Sequence, residues 1–440
     1  MPQGEEHNKQ AKKPLPKRWI VVAVLGLLIA LLAFRVARFV TAKPTIAINY
    51  AAQYNELTRP ANYDPNDNAA PLYAQAFEIL SEMPGDREAL DMVAQAAEKP
   101  YWWFEQTCLD WTKIDAQAEI FAQMVGFRQT GRDLHDQALW LAANGDIDQA
   151  LQAVTIVGKM ARHVGGQGAM HGQALVATAM KGLAQSTAFS LLARHTIAAD
   201  ALESFQQDVE ALLATPAPLS LASERLRLLD IVQRYFTDDG RGDGHLIVGK
   251  IYDEYTRMEE LPNELADAVA YVDHLVIAWR HPSRKETVQL LENLIPWLDD
   301  LAQQTPWQLH QRGANYEDDI RKRITGHYFL KLAQLPGSLG RTIEIHQRLR
   351  VSGDALITTI ALLRYRQDKG RWPENLEALA NDGYIRNIPI DPFSGRTLTY
   401  EPTGETFLLY SFGADFDDDG GTPSNWGQRA NGGDQVFWPR

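Results

Sequence analysis

From Trp19 to Val40 the chain reads WIVVAVLGLLIALLAFRVARFV, apolar on every face until Arg35 and Arg38. That length is close to the ~20 residues that cross a bilayer core, so the pattern predicts a transmembrane helix over 19–40. Trp19 suits one interface, and the two arginines can snorkel to the other. Lys9, Lys12, Lys13, Lys17 and Arg18 precede the helix. By the positive-inside rule they hold the tail 1–18 in the cytoplasm and send the remainder outside. A signal peptide cleaved near Val40-Thr41-Ala42 is the competing reading, opposed by the long apolar core and by the arginines before the cleavage site. A buried helix of a soluble protein is the third, opposed by the absence of a polar face.

Residues 41–70 are punctuated by Pro44, Pro60, Asn62, Pro65, Asn66, Asp67 and Asn68, a turn-forming composition that suits a stalk. Leu72, Ala76, Ile79 and Leu80 then share a helix face, with Asp67 or Asn68 placed to cap it. Apolar residues recur at helical spacing from about 110 to 340, as in Leu221, Leu228, Leu229, Val232 and Phe236. Residues 71–343 therefore read as an all-helical domain. Asn144-Gly145-Asp146 marks an interhelical turn, Gly145 taking the left-handed position and Asp146 capping the next helix. The hairpin from Leu134 to about His163 resembles one solenoid repeat, but no regular period follows it, so an irregular bundle is expected.

The pattern changes again from 344 to 440. Leu349, Gly353, Leu356, Ile360 and Leu363 share one face of a long helix that Gly370 can stop. Two β-prone stretches, 397–400 and 406–412, flank Pro402-Thr403-Gly404 and read as a hairpin in which Phe407 and Leu409 face the helix. The expected fold is mainly α: a transmembrane helix, a helical ectodomain, and a small α+β module of a long helix and a short antiparallel sheet.

Composition narrows the chemistry. The chain has 440 residues with 45% hydrophobic content and a net charge of −13, enough to bury a core but opposed to a phosphate-binding groove, so no nucleic-acid partner is expected. The single cysteine, Cys108, excludes an internal disulfide and a cysteine-rich zinc site and reads as a small buried residue. No GxSxG elbow, phosphate-binding P-loop or GxGxxG turn is present. Glu259-Glu260 and Asp299-Asp300 are sequence neighbours, which diverge on a helix.

One stretch carries a specific signature. Gly370, Trp372 and Pro373, then Leu376 and Leu379, the Pro389-x-Asp391-Pro392 turn, Tyr400, and Tyr410 to Asp415 follow in an order that resembles the C-terminal globular domain of the major (G-type) pseudopilin of type II secretion systems. The resemblance covers about a quarter of the chain. In that family a processed leader adjoins an apolar helix that runs on into the globular domain and carries an early glutamate. Here no such junction precedes Trp19, and roughly 300 residues separate the two helices. The family's loop after Gly-Ala-Asp binds calcium, which implies that role for Asp415 and the acidic residues behind it. Asp415, Asp417, Asp418 and Asp419, before Gly420-Gly421, offer hard oxygen ligands, and Asp434 can close the loop from the far side. A solvated acidic turn is the plain alternative.

Three further constellations stand out. Asp238 to Leu246 partly imitates an EF-hand loop, with Asp239, Asp243, Gly244 and Leu246 at positions one, five, six and eight. Arg241 occupies position three and Lys250 position twelve, so a glycine-rich interhelical loop is the stronger reading, and Arg241-Gly242-Asp243 is taken as chance. Tyr101-Trp102-Trp103-Phe104 with Trp111 form either core or a stacking platform for a sugar or peptide. His163 and His171 flank a glycine-rich stretch without metal-ligand spacing. The expected protein is a non-enzymatic, single-pass protein of the bacterial cytoplasmic membrane with its bulk in the periplasm or outside, bearing a calcium-stabilised module and an envelope protein partner. An envelope hydrolase using carboxylates in the helical domain, or an atypical secretion component, is the alternative.

Overall fold

The computed structural model describes residues 17–109, 114–166, 168–213, 221–259, 263–313, 316–332, 335–424 and 432–439. They form two compact units, one of residues up to Ile46 with Gln233–Lys285, the other of Ala47–Val232 with Glu286–Arg440. The fold is mainly helical with a small antiparallel sheet near the C-terminus.

In the first unit α1 (Lys17–Val40) contains Val21–Val40, the one segment among the described residues long and apolar enough to cross a membrane. Its Phe39 ring stacks on His245 at 4.4 Å and meets Trp279 at 5.7 Å. This unit also holds the helices Val248–Met258 and Glu264–Arg280.

The second unit begins within the expected stalk, where α2 (Tyr50–Thr58) already buries Ala51 and Tyr54. It continues through α3 (Ala70–Glu82), α4 (Arg87–Ala97), α5 (Ile114–Ala143), α6 (Ile147–Val164), α7 (His171–Arg194) and α8 (Ala199–Leu212). Helix α3 starts after Ala69 without a side-chain cap of its own. Asn68 instead accepts from the Ala70 N–H at 3.2 Å, and Asp64 caps the short turn before it by accepting from Asn66 N. Gly126 explains how closely α5 approaches α3: a β-carbon there would collide with the ring and Cβ of Phe77. The α5–α6 turn forms at Gly145, whose φ is +92°, and Asp146 returns its N–H to Leu141 O at 3.0 Å. Asp146 occupies the N-cap position of α6 but makes no side-chain cap bond.

After α9 (Ala222–Tyr235), the first unit's helices are α10 (Val248–Met258) and α11 (Glu264–Arg280); the chain resumes with α12 (Arg284–Gln303), α13 (Pro306–Gln311), α14 (Tyr316–Arg323) and α15 (Tyr328–Leu332). The 35-residue α16 (Leu335–Lys369) follows and ends where Gly370 adopts φ +72°. The module boundary expected at 343/344 therefore lies inside this helix. A short α17 (Leu376–Asn381), capped by Asn375, leads to β1 (Thr399–Pro402), β2 (Phe407–Ser411) and β3 (Gln435–Trp438).

The strands are antiparallel in the order β1-β2-β3, with Tyr400 opposite Leu409 and Leu409 opposite Trp438. An irregularity at Leu409/Tyr410 shifts the second register. Period-two alternation turns Phe407 and Leu409 inward, where both are fully buried in one hydrophobic cluster with Leu356 and Ile360 of α16. That cluster runs on to Tyr73, Phe127, Met160 and Phe189, and Phe189 stacks on Phe437 of β3 at 6.1 Å. Burying each of these large side chains stabilises the fold by about 1.5–3 kcal/mol, so the sheet and the helices share one core.

Candidate functional site

The acidic loop grows out of β2. After Ser411 a 3₁₀ turn, Gly413–Asp415, ends at Phe416, the one described non-glycine residue with positive φ, +66°. A left-handed phenylalanine is unfavourable, and ring contacts hold it there: Phe416 stacks on His310 at 4.1 Å, beside Trp307 and Phe393. This reversal sends Asp417, Asp418 and Asp419 back toward the start of β3. Asp434 anchors the return, its N–H donating to Thr422 O at 2.7 Å and its carbonyl accepting from Ser424 N at 2.9 Å.

The five carboxylates named from the sequence have different partners. Asp415 Oδ2 accepts from Gly433 N at 2.6 Å. A β-carbon on Gly432 would lie 3.2 Å from that oxygen and 4.0 Å from Asp419 Oδ2, so the two carboxylates flank the same glycine. Asp434 is 1% exposed; its Oδ2 accepts from Gly421 N at 2.7 Å, while its Oδ1 is buried without a hydrogen-bond partner. Burial pushes its carboxyl up to about 6, a rise opposed by the backbone N–H groups of Gly421 and Asp419 and reinforced by the charges of Asp418 and Asp419. Asp418 accepts from Tyr410 Oη at 2.8 Å and Gly420 N at 3.1 Å, and Asp417 turns to the Asp418 N–H at 2.9 Å.

Among the described residues no three acidic, histidine or cysteine side chains converge on one point. The loop's carboxylates are hard oxygen donors all the same, and one of their oxygens lacks a protein partner. An orphaned buried carboxylate oxygen on Asp434, with Asp415 and Asp419 beside the loop it closes, supplies the negative oxygen ligands that calcium prefers. Asp417 and Asp418 already accept hydrogen bonds from Asp418 N, and from Tyr410 Oη and Gly420 N.

The loop 237–245, in contrast, is closed by its own backbone, with Thr237 N donating to His245 O at 2.9 Å and Asp239 N to Asp243 O at 2.8 Å. Asp239 Oδ1 accepts from Arg241 N and Asp243 N, Asp238 pairs with the buried Arg284, and Asp243 Oδ1 accepts from Gly244 N and Lys285 N. These bonds account for the Asp-Gly composition as turn chemistry.

The aromatic segment borders a cavity of about 390 Å³ whose walls include Tyr101, Trp103, Phe104, Arg162 and Gln173. Trp102 is a core anchor, with its indole N–H on Gln123 at 2.7 Å and its ring edge-on to Phe127 at 5.4 Å. Trp103 is half-buried at the cavity wall, donates to Thr58 Oγ1 at 3.2 Å and lies under the Arg59 guanidinium. Trp111 lies outside the described residues. His163 engages Tyr73 Oη and Lys99 O, and burial lowers its pKa to about 4. His171 has its own surroundings: burial lowers its pKa, with Glu224 and Arg227 acting on it in opposite directions, and neither ring nitrogen has a hydrogen-bond partner. Among the described residues no carboxylate lines the cavity. Asp299 accepts from Leu221 N and Asp300 from Gln304, which separates those neighbours as helix geometry requires.

Three buried polar residues have surroundings that their sequence context does not reveal. Asp391, 1% exposed, accepts from Phe393 N, Ser411 Oγ and Phe412 N, tying its turn to the end of β2. Its position before Pro392 signalled a turn but not this staple. Glu224 and Ser223, both buried at the start of α9, have the unpartnered atoms Oε2 and Oγ, and Glu224 also pairs with Arg227. Their sequence reads as an ordinary polar helix start. Comparisons with family patterns, curated proteins and solved structures find no match to this chain.

Proposed function

We propose that this chain is a non-enzymatic, membrane-anchored protein whose α1 crosses the cytoplasmic membrane with the basic tail inside. Its C-terminal module resembles a pseudopilin globular domain and is stabilised by calcium at the acidic loop. It serves as an interaction or assembly component of a bacterial envelope. The observation that carries the calcium part is Asp434, a buried carboxylate with an unpartnered oxygen at the closure of a loop that also holds Asp415 and Asp419. Those three residues would hold the cation, which when bound supplies the positive charge that their mutual repulsion and burial call for. The motif order from Gly370 to Asp415 supports the pseudopilin likeness, and the apolar segment Val21–Val40 supports the anchor.

The test is calorimetry of calcium binding to the full chain in detergent, with thermal melting in calcium and in chelator. Binding to the native state raises stability by about 2.7 kcal/mol at a hundredfold excess over Kd. Asp415→Ala and Asp434→Asn are expected to abolish the calcium-dependent rise. A folded chain whose melting ignores calcium overturns the calcium assignment. Turnover of an envelope polymer by the metal-replete chain overturns the non-enzymatic reading in favour of a hydrolase.

A further inference from the structure

Helix α11 (Glu264–Arg280) packs by one side only. Ala270, His274 and Ala278 are its buried residues, and the Tyr252 and Tyr255 rings of α10 meet His274 at 5.9 and 4.7 Å. At 100° per residue, Leu265, Val269, Val272, Val276 and Trp279 lie on the opposite side. They are exposed by 75, 54, 56, 46 and 67%, an uncovered apolar stripe about 21 Å long. The spacing alternates between four and three residues, which would also suit a partner helix. Only one flank suits one: Asp273 and Arg280 border one side, but Ala268 and Leu275 border the other, where complementary charges would also be needed to set the register of a coiled coil.

The first unit indicates what covers the stripe. Trp279, at its C-terminal end, meets the ring of Phe39, the penultimate residue of the segment able to cross a membrane. A bilayer around α1 thus ends beside Trp279, with Arg280 next in sequence to meet lipid phosphate.

We infer that α11 is a membrane-interface helix, its Leu265-to-Trp279 stripe seated at the headgroup and acyl boundary of the leaflet where α1 emerges. The inference rests on α1 being membrane-spanning. The partner is lipid: a large apolar face beside an anchor gains a second, sideways attachment by burying that face in the interface. The first unit then holds the membrane at two places, one through the bilayer and one along its surface.

The full chain, reconstituted in phosphatidylethanolamine and phosphatidylglycerol vesicles, would carry a polarity-sensitive fluorophore on Val272→Cys or Val276→Cys; native Cys108 is buried. Leu28→Cys reports on α1, and Trp140→Cys, at an exposed site on α5, reports on water. The inference expects blue-shifted emission at 272 and 276, quenching by lipids spin-labelled near the headgroup, and protection from iodide. Leu28 should respond to lipids labelled deep in the chain. If 272 and 276 are quenched by iodide as 140 is, while Leu28 stays deep, the anchor stands and the interface helix is refuted. Oxidative cross-linking of Val272→Cys between copies, with protection from both quenchers, assigns the stripe to self-association and overturns the lipid partner. If Leu28 also faces water, the anchor itself is wrong and the interface helix falls with it.

Discussion

Replacing Asp391 with alanine removes one buried carboxylate and strands three donors. Its oxygens accept from Phe393 N at 3.0 Å, Ser411 Oγ at 2.7 Å and Phe412 N at 3.2 Å. Hydrogen bonds to a charged group contribute roughly 1.5–3 kcal/mol each, and a buried donor left unpaired costs about 1–3 kcal/mol. Phe412 is only half-buried and can turn to water, so Asp391→Ala should cost about 3–6 kcal/mol, a large share of an ordinary folding free energy. Asp391→Asn keeps one acceptor oxygen but sets an amide donor against a donor, and should fall between wild type and alanine. Ser411→Ala deletes one donor and leaves the carboxylate with two, for about 1–2 kcal/mol. Tryptophan-monitored unfolding of the full chain in detergent gives this ranking, and hydrogen exchange at 407–412 localises it. A wild-type transition for Asp391→Ala, or Ser411→Ala as damaging as Asp391→Ala, would refute the staple.

Three other outcomes follow from the same geometry. Because burial raises Asp434 in the fold to about 6 from its ordinary value, its charged form opposes folding. The calcium-free chain therefore gains up to about 3 kcal/mol from this group as pH falls from 7 toward 4 and loses it again as pH rises through 6. Melting in chelator should show this as the difference between wild type and Asp434→Asn, the variant being at least as stable at pH 7 yet unresponsive to calcium. Gly126→Ala drives a methyl group into buried Phe77 and should cost about 1–3 kcal/mol by overpacking, read as a lowered midpoint at unchanged denaturant slope. Glu98→Ala breaks the ion pair between exposed Glu98 and half-buried Lys159 and should move stability by less than about 1 kcal/mol.

Local signals were legible where one residue type decides a backbone conformation. Gly145 and Gly370 end helices with positive φ where the sequence placed them, and the turn after Pro402 joins two antiparallel strands. Strand β3 was not legible, because Gln435–Trp438 is four residues long and is fixed by pairing with β2 rather than by its own pattern. Periodicity shows which residues share a face, not what covers it. Leu221, Leu228, Leu229 and Val232 are all buried, whereas the equally periodic stripe of α11 is exposed. Residue type was no better a guide within the acidic loop: Asp434 is sealed in and Asp417 faces solvent, a difference set by where the folded backbone presents its N–H groups.

The first unit draws on residues before Ile46 and after Gln233, which imposes an order on biogenesis. Phe39 is made early, but His245 and Trp279 emerge roughly 200 residues later, and closing so long a flexible loop carries a large entropic cost. Helices α5 to α8, joined by connections of only a few residues, can form in the interval and shorten the chain that must be closed. A nascent chain stalled before His245 thus presents Phe39 with neither of the rings that meet it in the folded unit, and one stalled before α11 presents it stacked on His245 but still without Trp279.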